Sequence, residues 1–463
     1  MKIFSTVNKI HFVGIGGIGM SAIAEILINQ GFDISGSDMN PSENTEYLEK
    51  LGAKIYIGHK AENIEGAEVV VYSSAVNPSE NEETAAALDK GLPVIKRAAM
   101  LAEVARLNYC LAIAGTHGKT TTTSMLGLIV IKAGFDPTVI VGGRLRDFGG
   151  TNARLGKGDW TVVEADEYDR SFLQLSPTIA VINNIESDHL DIYKDIDDIK
   201  DTFVTFANMV PFYGFTAMGI DDPGVKDILS RINKKIITFG VSRHSDYYAE
   251  NIRYTQGETF FEVREYGKLL GEISIKIPGT HNIKNALAAI SVARQMGIEF
   301  DIIKSSLAEF GGVYRRFDIK GTINNIMVVD DYAHHPSEVS ATLQAARNSG
   351  NKRIVCAFQP HTFTRTKEMY REFARSFDDA DVLIVTGIYP AREKPIEGVS
   401  GKMIADAAKE FGHKNVIYFE TLNELESHIN DILRPGDMFL TLGAGNIVNV
   451  ADKLMAGLNQ KDS

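Results

Sequence analysis

Tyr109–Gly134 reads YCLAIAGTHGKTTTTSMLGLIVIKAG. An apolar run breaks into a glycine-rich turn and resumes as a long, mostly apolar segment, the pattern of a buried strand, a tight loop and a helix. Such a junction aims consecutive backbone N–H groups and a helix N-terminus at one point, which suits phosphate. Gly115, Gly118, Lys119 and Thr120 form GxxGKT, a variant Walker A loop that carries Ile113 where the full spacing has glycine. In such a loop the lysine bridges the transferable phosphate and the threonine hydroxyl ligates Mg²⁺. A surface lysine beside a glycine turn is the plainer alternative, disfavoured by the strand before it and the helix after it.

Toward the N-terminus the chain alternates KIHFVGIG, a helix over 20–30, DISGSD, a helix near 45–51, KIYIG, EVVVYSS and a helix rich in Ala and Glu. That alternation predicts a doubly wound parallel sheet, and the restart at YCLAIA puts a boundary near Leu107. Gly14, Gly16 and Gly19 form GxGxxG between the strand IHFV and an apolar helix, and Asp38 ends the next strand. The glycines let backbone approach a diphosphate, and Asp38 is placed to accept from ribose hydroxyls. NAD, FAD and a UDP-sugar all satisfy this pattern.

Toward the C-terminus, strands at WTVVEAD and TIAVINNI run into VVEADEYDRSF and NNIESDHLDIY. Glu164 and His189 follow these strands and are candidate metal ligands, since a carboxylate and a neutral imidazole can share Mg²⁺ with substrate oxygens. A solvated acidic loop is the bland reading. A third restart near Tyr314 brings IMVVDDYAHHP, RIVCAFQPH, DVLIVTGIY and MFLTLGAG. Ligands gather at the carboxyl ends of open parallel sheets, which singles out Asp330, Asp331, His334, His335, His361 and Arg365. Zinc is the weaker reading of the histidine pair, because no third nitrogen or sulfur ligand is spaced beside it. Trp160 reads as packing.

At 463 residues the chain has room for about three domains. Hydrophobic residues at 44% and charged residues at 23% exclude disorder and fibres. The net charge of −12 removes any general attraction to nucleic acid or anionic lipid. The two cysteines, Cys110 and Cys356, lie in separate apolar runs and read as buried thiols of a reducing compartment. The N-terminus lacks a signal-peptide core, and Thr202–Ile220, uncharged but broken by Asn208, Pro211 and Gly214, reads as helix, turn and strand. The expectation is a cytoplasmic protein with no membrane partner.

These groups in this order, with IPGTHNIKNALAA between the second and third segments, resemble the Mur ligases, ATP-dependent enzymes that add amino acids to a cell-wall precursor. The resemblance spans essentially the whole chain. GIGGIGMSAIAE, GTHGKTTTT, EADEYDRSFL, NNIESDHLD and DDYAHHPSEV are most similar to the branch that joins L-alanine to UDP-N-acetylmuramate in peptidoglycan synthesis. A branch joining a preformed peptide to the same sugar is the nearest alternative.

The resemblance implies an α/β chain of three domains: a Rossmann-like UDP-sugar domain over 1–106, a central P-loop ATPase domain over 107–313 and a Rossmann-like amino-acid-binding domain over 314–463. It also implies residue roles. The turn Gly14, Gly16, Gly17, Ile18, Gly19, Met20 and Ser21 holds the diphosphate, with Ser37, Asp38 and Ser73 toward the uridine and Thr151 and Asn152 near the lactyl group. Gly115, Thr116, His117, Gly118, Lys119, Thr120 and Thr121 hold ATP. Thr120 binds one Mg²⁺, and Glu164 and His189 hold a second. His281, Asn282 and Asn285 approach the adenine, Arg316 and Asp331 reach the nucleotide from the third domain, and His361 and Arg365 face the incoming alanine.

Overall fold

A computed structural model describes residues 7–106, 108–143, 146, 150–188, 192–255, 257–350, 352–391 and 393–457. The chain forms two compact units. The first runs to Glu250 and takes in Glu262–Ile273 and Lys284–Gly311; the second comprises Asn251–Phe261, Ser274–Ile283 and the chain from Gly312 onward.

The first unit begins with β1 (Lys9–Val13), α1 (Ile18–Asn29), β2 (Asp33–Asp38), α2 (Glu43–Lys50), β3 (Lys54–Ile57), β4 (Val69–Tyr72), α3 (Glu82–Asp89), β5 (Val94–Lys96) and α4 (Arg97–Ala105). The strands make a five-stranded sheet in the order β3-β2-β1-β4-β5, parallel throughout. Alternate residues serve opposite faces. Ile10, Phe12, Val69 and Val71 join the core that holds α1, whereas Val13, Val70 and Tyr72 pack with Ala87 of α3 on the other side. Burial on both faces is why these strands read as unbroken apolar runs.

A second sheet follows from β6 (Tyr109–Ala114), α5 (Lys119–Lys132), β7 (Thr138–Ile140), β8 (Ala153–Arg154), β9 (Trp160–Glu164), β10 (Ile179–Ile182), α6 (Ile196–Asn208), β11 (Phe215–Gly219), α7 (Pro223–Ile228), β12 (Ile236–Gly240), β13 (Tyr247–Thr255), β14 (Glu258–Glu265) and β15 (Lys268–Ile275). Its order is β15-β14-β13-β12-β11-β10-β6-β9-β7-β8. The helix, turn and strand read over 202–220 appear as α6 and β11. Helix α5 is buried from Thr121 through Val130, so threonines fill its crowded first turns and aliphatics the rest. The helices α8 (Thr280–Gln295) and α9 (Phe300–Glu309) follow.

The second unit carries β16 (Asp318–Ile323), β17 (Ile326–Asp331), α10 (Pro336–Asn348), β18 (Ile354–Phe358), α11 (Phe363–Arg375), β19 (Val382–Thr386), α12 (Lys402–Glu410), β20 (Val416–Phe419), α13 (Leu422–Ile432), β21 (Met438–Leu442) and α14 (Val448–Ala456). The sheet order is β16-β17-β21-β18-β19-β20, parallel except for the antiparallel β16–β17 pair. Cys110 and Cys356 are both buried free thiols. Among the described residues no helix is long and apolar enough to cross a membrane.

Candidate active site

Two glycine turns at the carboxyl ends of parallel strands define the site in the first unit. After β1, Gly14 adopts φ +81° and its backbone N–H, with that of Ile15, donates to Ser37 O at 2.8 and 2.9 Å. Gly16 N donates to Asp38 Oδ2 at 2.9 Å, and a methyl group on Gly16 would meet that same oxygen. Asp38 is thereby fixed beside the turn. The Gly17 N-cap supplies no side-chain acceptor to α1, so the first amides of the helix carry its positive end outward. Met20 and Ser21 are buried, and Ser21 Oγ donates to Ile18 O at 3.0 Å. Asn152 Nδ2 donates to the same carbonyl at 2.5 Å, while Thr151 Oγ1 donates to Ala153 O. Ser37 is fully buried, and its hydroxyl is committed to Glu83 Oε2 at 2.5 Å. Ser73 backs the turn: a methyl group on Gly14 would lie 3.1 Å from its Cβ.

After β6 the second turn runs through Gly115 (φ +139°) and Gly118 (φ +79°) into α5. The loop is girdled by amides from below. His117 N donates to Asn184 Oδ1 at 2.7 Å and Thr116 N to Asn184 O at 3.1 Å. Asn183 Nδ2 donates to His117 O at 3.3 Å and to Thr122 Oγ1 at 3.1 Å, and Thr122 Oγ1 donates to Asn285 Oδ1 at 3.3 Å. A methyl group on Gly118 would stand 2.3 Å from Asn285 Oδ1, and one on Gly115 3.0 Å from Asn183 Cβ. Only glycine fits at these two places, which leaves a backbone cradle of the kind that wraps phosphate. Thr120 is half-buried at the start of α5 and Thr121 is buried. His117 Nε2 lies 3.4 Å from Glu186 Oε2.

Lys119 is the best-connected group of this loop. Its Nζ donates to Gly115 O at 2.7 Å, Thr116 O at 3.2 Å and both oxygens of Glu167 at 2.9 and 2.7 Å. Burial opposes its charge, but Glu167, Asp166 and Glu164 outweigh that and hold its pKa above the ordinary lysine value. Glu164, at the end of β9, accepts from Gly142 N at 2.8 Å. Tyr193 O–H donates to Glu167 O, and burial pushes this phenol well up. A cavity of about 270 Å³ is lined by residues of both turns, Ile18 and Gly19 of the first and Lys119 of the second, together with Arg97, Glu164 and Asp166.

In the second unit, Asp331 ends β17 and accepts from Phe317 N at 2.7 Å and Ala333 N at 2.8 Å; burial raises its pKa to about 6. Arg316 lies 3.7 Å from Glu338 and over the Tyr332 ring. His361 stacks on Tyr389 with ring centroids 5.8 Å apart and meets the His334 ring edge-on. Arg365 is half-buried in the first turn of α11, whose leading amides, Phe363 N and Thr364 N, donate to Glu393 Oε2. His281 and Asn282 open α8 in this unit, and Asn282 Nδ2 donates to Pro278 O at 2.7 Å. His334 Nδ1 is engaged by Tyr332 O and His335 Nδ1 by Ser337 Oγ. His189 lies outside the described residues.

Family models match in the same order along the chain: the Mur ligase family catalytic domain over 9–109, the Mur ligase middle domain over 113–293 and the Mur ligase glutamate ligase domain over 315–445. The chain belongs to the Mur ligase family. It is 52% identical to a UDP-N-acetylmuramate–L-alanine ligase of Geotalea uraniireducens across 98% of this chain and 99% of that one. The crystal structure of a UDP-N-acetylmuramate-alanine ligase from Thermotoga maritima superposes with a TM-score of 0.85 at 32% identity, covering 98% and 99% of the two chains. A murein peptide ligase from Psychrobacter arcticus follows at 0.72 and 26%, covering 97% and 98%.

For a Mur ligase the structure adds residues that sequence reasoning passed over. Glu167 sits three places after Glu164 in one acidic run, and only the fold shows which of the two grips Lys119. Asn183 and Asn184 directly follow β10, a position the carboxyl-end rule marks, though their amides are less reactive than the side chains downstream.

Proposed function

We propose that this Mur ligase joins L-alanine to the lactyl carboxylate of UDP-N-acetylmuramate, converting ATP to ADP and phosphate. The observation that supports the reading is the cavity lined both by Ile18 and Gly19 of the first glycine turn and by Lys119 of the second. An amine and a carboxylate do not condense at neutral pH, since oxide is too poor a leaving group. The carboxylate oxygen attacks the γ-phosphorus of ATP, the bond to the β–γ bridging oxygen breaks, and ADP leaves. Lys119 and the amides of 115–121 stabilise charge on the transferring group. The alanine amine then adds to the carbonyl of the acyl phosphate, loses a proton, and phosphate departs to leave the amide. Gly115 and Gly118 let the loop lie flat on Asn183 and Asn285, where a Cβ would collide, and a loop so held, with its backbone amides and Lys119, suits a triphosphate.

Thr120 and Glu164, with Asp166 alongside, offer the hard oxygen donors that Mg²⁺ takes, and we assign metal binding to Thr120, Glu164 and His189. When bound, Mg²⁺ neutralises phosphate charge. The nucleotide roles of His281, Asn282, Asn285, Arg316 and Asp331, and the alanine roles of His361 and Arg365, belong to the same reading, as do the domain limits at 106/107 and 313/314 and a cytoplasmic location. Phosphate release measured with UDP-N-acetylmuramate and ATP, offering either L-alanine or a free tripeptide with its N-terminal amine unblocked as acceptor, tests it: release with alanine is expected. Release with the tripeptide alone would transfer the chain to the peptide-joining branch.

A further inference from the structure

Arg97 opens α4 and lines the cavity between the two turns. Its guanidinium lies against the glycine turn, since a methyl group on Gly19 would stand 2.4 Å from Nη1 and 3.3 Å from Cδ. In dinucleotide folds the third glycine serves close packing of helix on strand; here that space is taken by a cation. Its ion-pair partner among the described residues is Asp166, whose Oδ2 is 3.5 Å from Nη2. A guanidinium carries five N–H donors, so one long contact leaves most of them unspent. Lys119, the other cation on the cavity wall, is engaged by Glu167 and two carbonyls.

The charge balance at the turn points the same way. The N-terminus of α1 has no side-chain cap, and its dipole supplies only about half a unit of positive charge. A diphosphate is doubly charged, and the carboxylate of Asp38 stands on the turn as well. We propose that Arg97 is the cation that holds the diphosphate of the sugar nucleotide at the Gly14–Gly19 turn. This rests on the reading of that turn as the sugar-nucleotide site. The planar fork pairs with two phosphate oxygens at once, which lysine cannot reproduce.

Calorimetric titration of the full chain with UDP, UDP-N-acetylglucosamine and UDP-N-acetylmuramate tests the assignment, because only the last carries the lactyl carboxylate. Arg97→Met is expected to weaken all three by a similar factor of about tenfold or more, and Arg97→Lys by several-fold, with ATP affinity unchanged. Asp166→Asn, which removes the ion pair but keeps the guanidinium, is expected to bind UDP as tightly as the wild type or tighter. The proposal is overturned if Arg97→Met binds UDP like the wild type, or if it loses affinity for UDP-N-acetylmuramate alone, which would move Arg97 to the carboxylate. It is overturned equally if Asp166→Asn and Arg97→Met lose UDP affinity together, the mark of a merely structural tie. A wild type that binds none of the three would remove the reading of the turn itself.

Discussion

Lys119 Nζ donates to both carboxylate oxygens of Glu167, at 2.7 and 2.9 Å, and Glu167 is 3% exposed. The loop cation is therefore aimed by a buried acid on the strand-end run EADE, and its position is set by four hydrogen bonds rather than by a freely rotating side chain.

Removing Lys119 takes the cation from a buried carboxylate, and removing Glu167 takes two of the four acceptors from Lys119 Nζ. Lys119→Ala is expected to cut ligation by about 10²-fold or more and also to lower stability, because it takes the cation from beside the buried Glu167 carboxylate. Glu167→Gln should lower turnover by about tenfold while sparing the fold better, because an amide oxygen still accepts from Nζ. Steady-state rates beside urea unfolding check this; full activity in Glu167→Gln would show that Lys119 needs no such support.

The asparagine girdle predicts a selective nucleotide defect. Asn183→Ala removes the donor to His117 O and Thr122 Oγ1, loosening the loop without touching the sugar-nucleotide turn. The KM for ATP should rise by about tenfold, with the KM for UDP-N-acetylmuramate unchanged.

Glu25, buried between α1 and α2 with Tyr47 O–H donating to it at 3.1 Å, makes stability depend on pH. Burial raises its pKa from 4.5 to about 7. The folded chain thus holds a proton that the unfolded chain releases between these values, so stability falls as pH rises through that window, by about 3 kcal/mol at most. Glu25→Gln should flatten the dependence between pH 5 and 7 and exceed the wild type in stability at pH 8, as read by urea unfolding at each pH. A parallel pH profile in the variant would remove Glu25 as its source.

Arg365 in the first turn of α11 is the proposed partner of the alanine carboxylate. Arg365→Lys should raise the KM for L-alanine by about tenfold, since a point charge replaces a two-pronged contact, with little effect on UDP-N-acetylmuramate. An unchanged alanine KM would move recognition elsewhere.

What the sequence displays and hides divides along physical lines. The restarts of the three sheets are legible at β1, β6 and β17 because strands covered on both faces are apolar throughout, and the two glycine turns because backbone geometry there tolerates no other residue. Helix α1 begins at Ile18, two residues before the expected Met20, since its N-cap Gly17 has no side chain to mark the start. Lys119 reads as a phosphate-loop lysine from its strand, glycine and helix context, but that context does not mark its partner Glu167, 48 positions away. The Asn285 contact to Thr122 spans 163 positions. Such pairings belong to tertiary packing, which local periodicity does not encode. The strands β13 to β15 are not legible in the sequence because half-exposed faces mix polar residues into the run.

The central claim is that the sugar's carboxylate is phosphorylated before the amine attacks. UDP-N-acetylmuramate labelled with ¹⁸O in its lactyl carboxylate, turned over with ATP and L-alanine, tests it through the mass of the released phosphate. The account predicts that one labelled oxygen of each carboxylate appears in phosphate and the other stays in the amide carbonyl. Phosphate free of label, at full product yield, would contradict it.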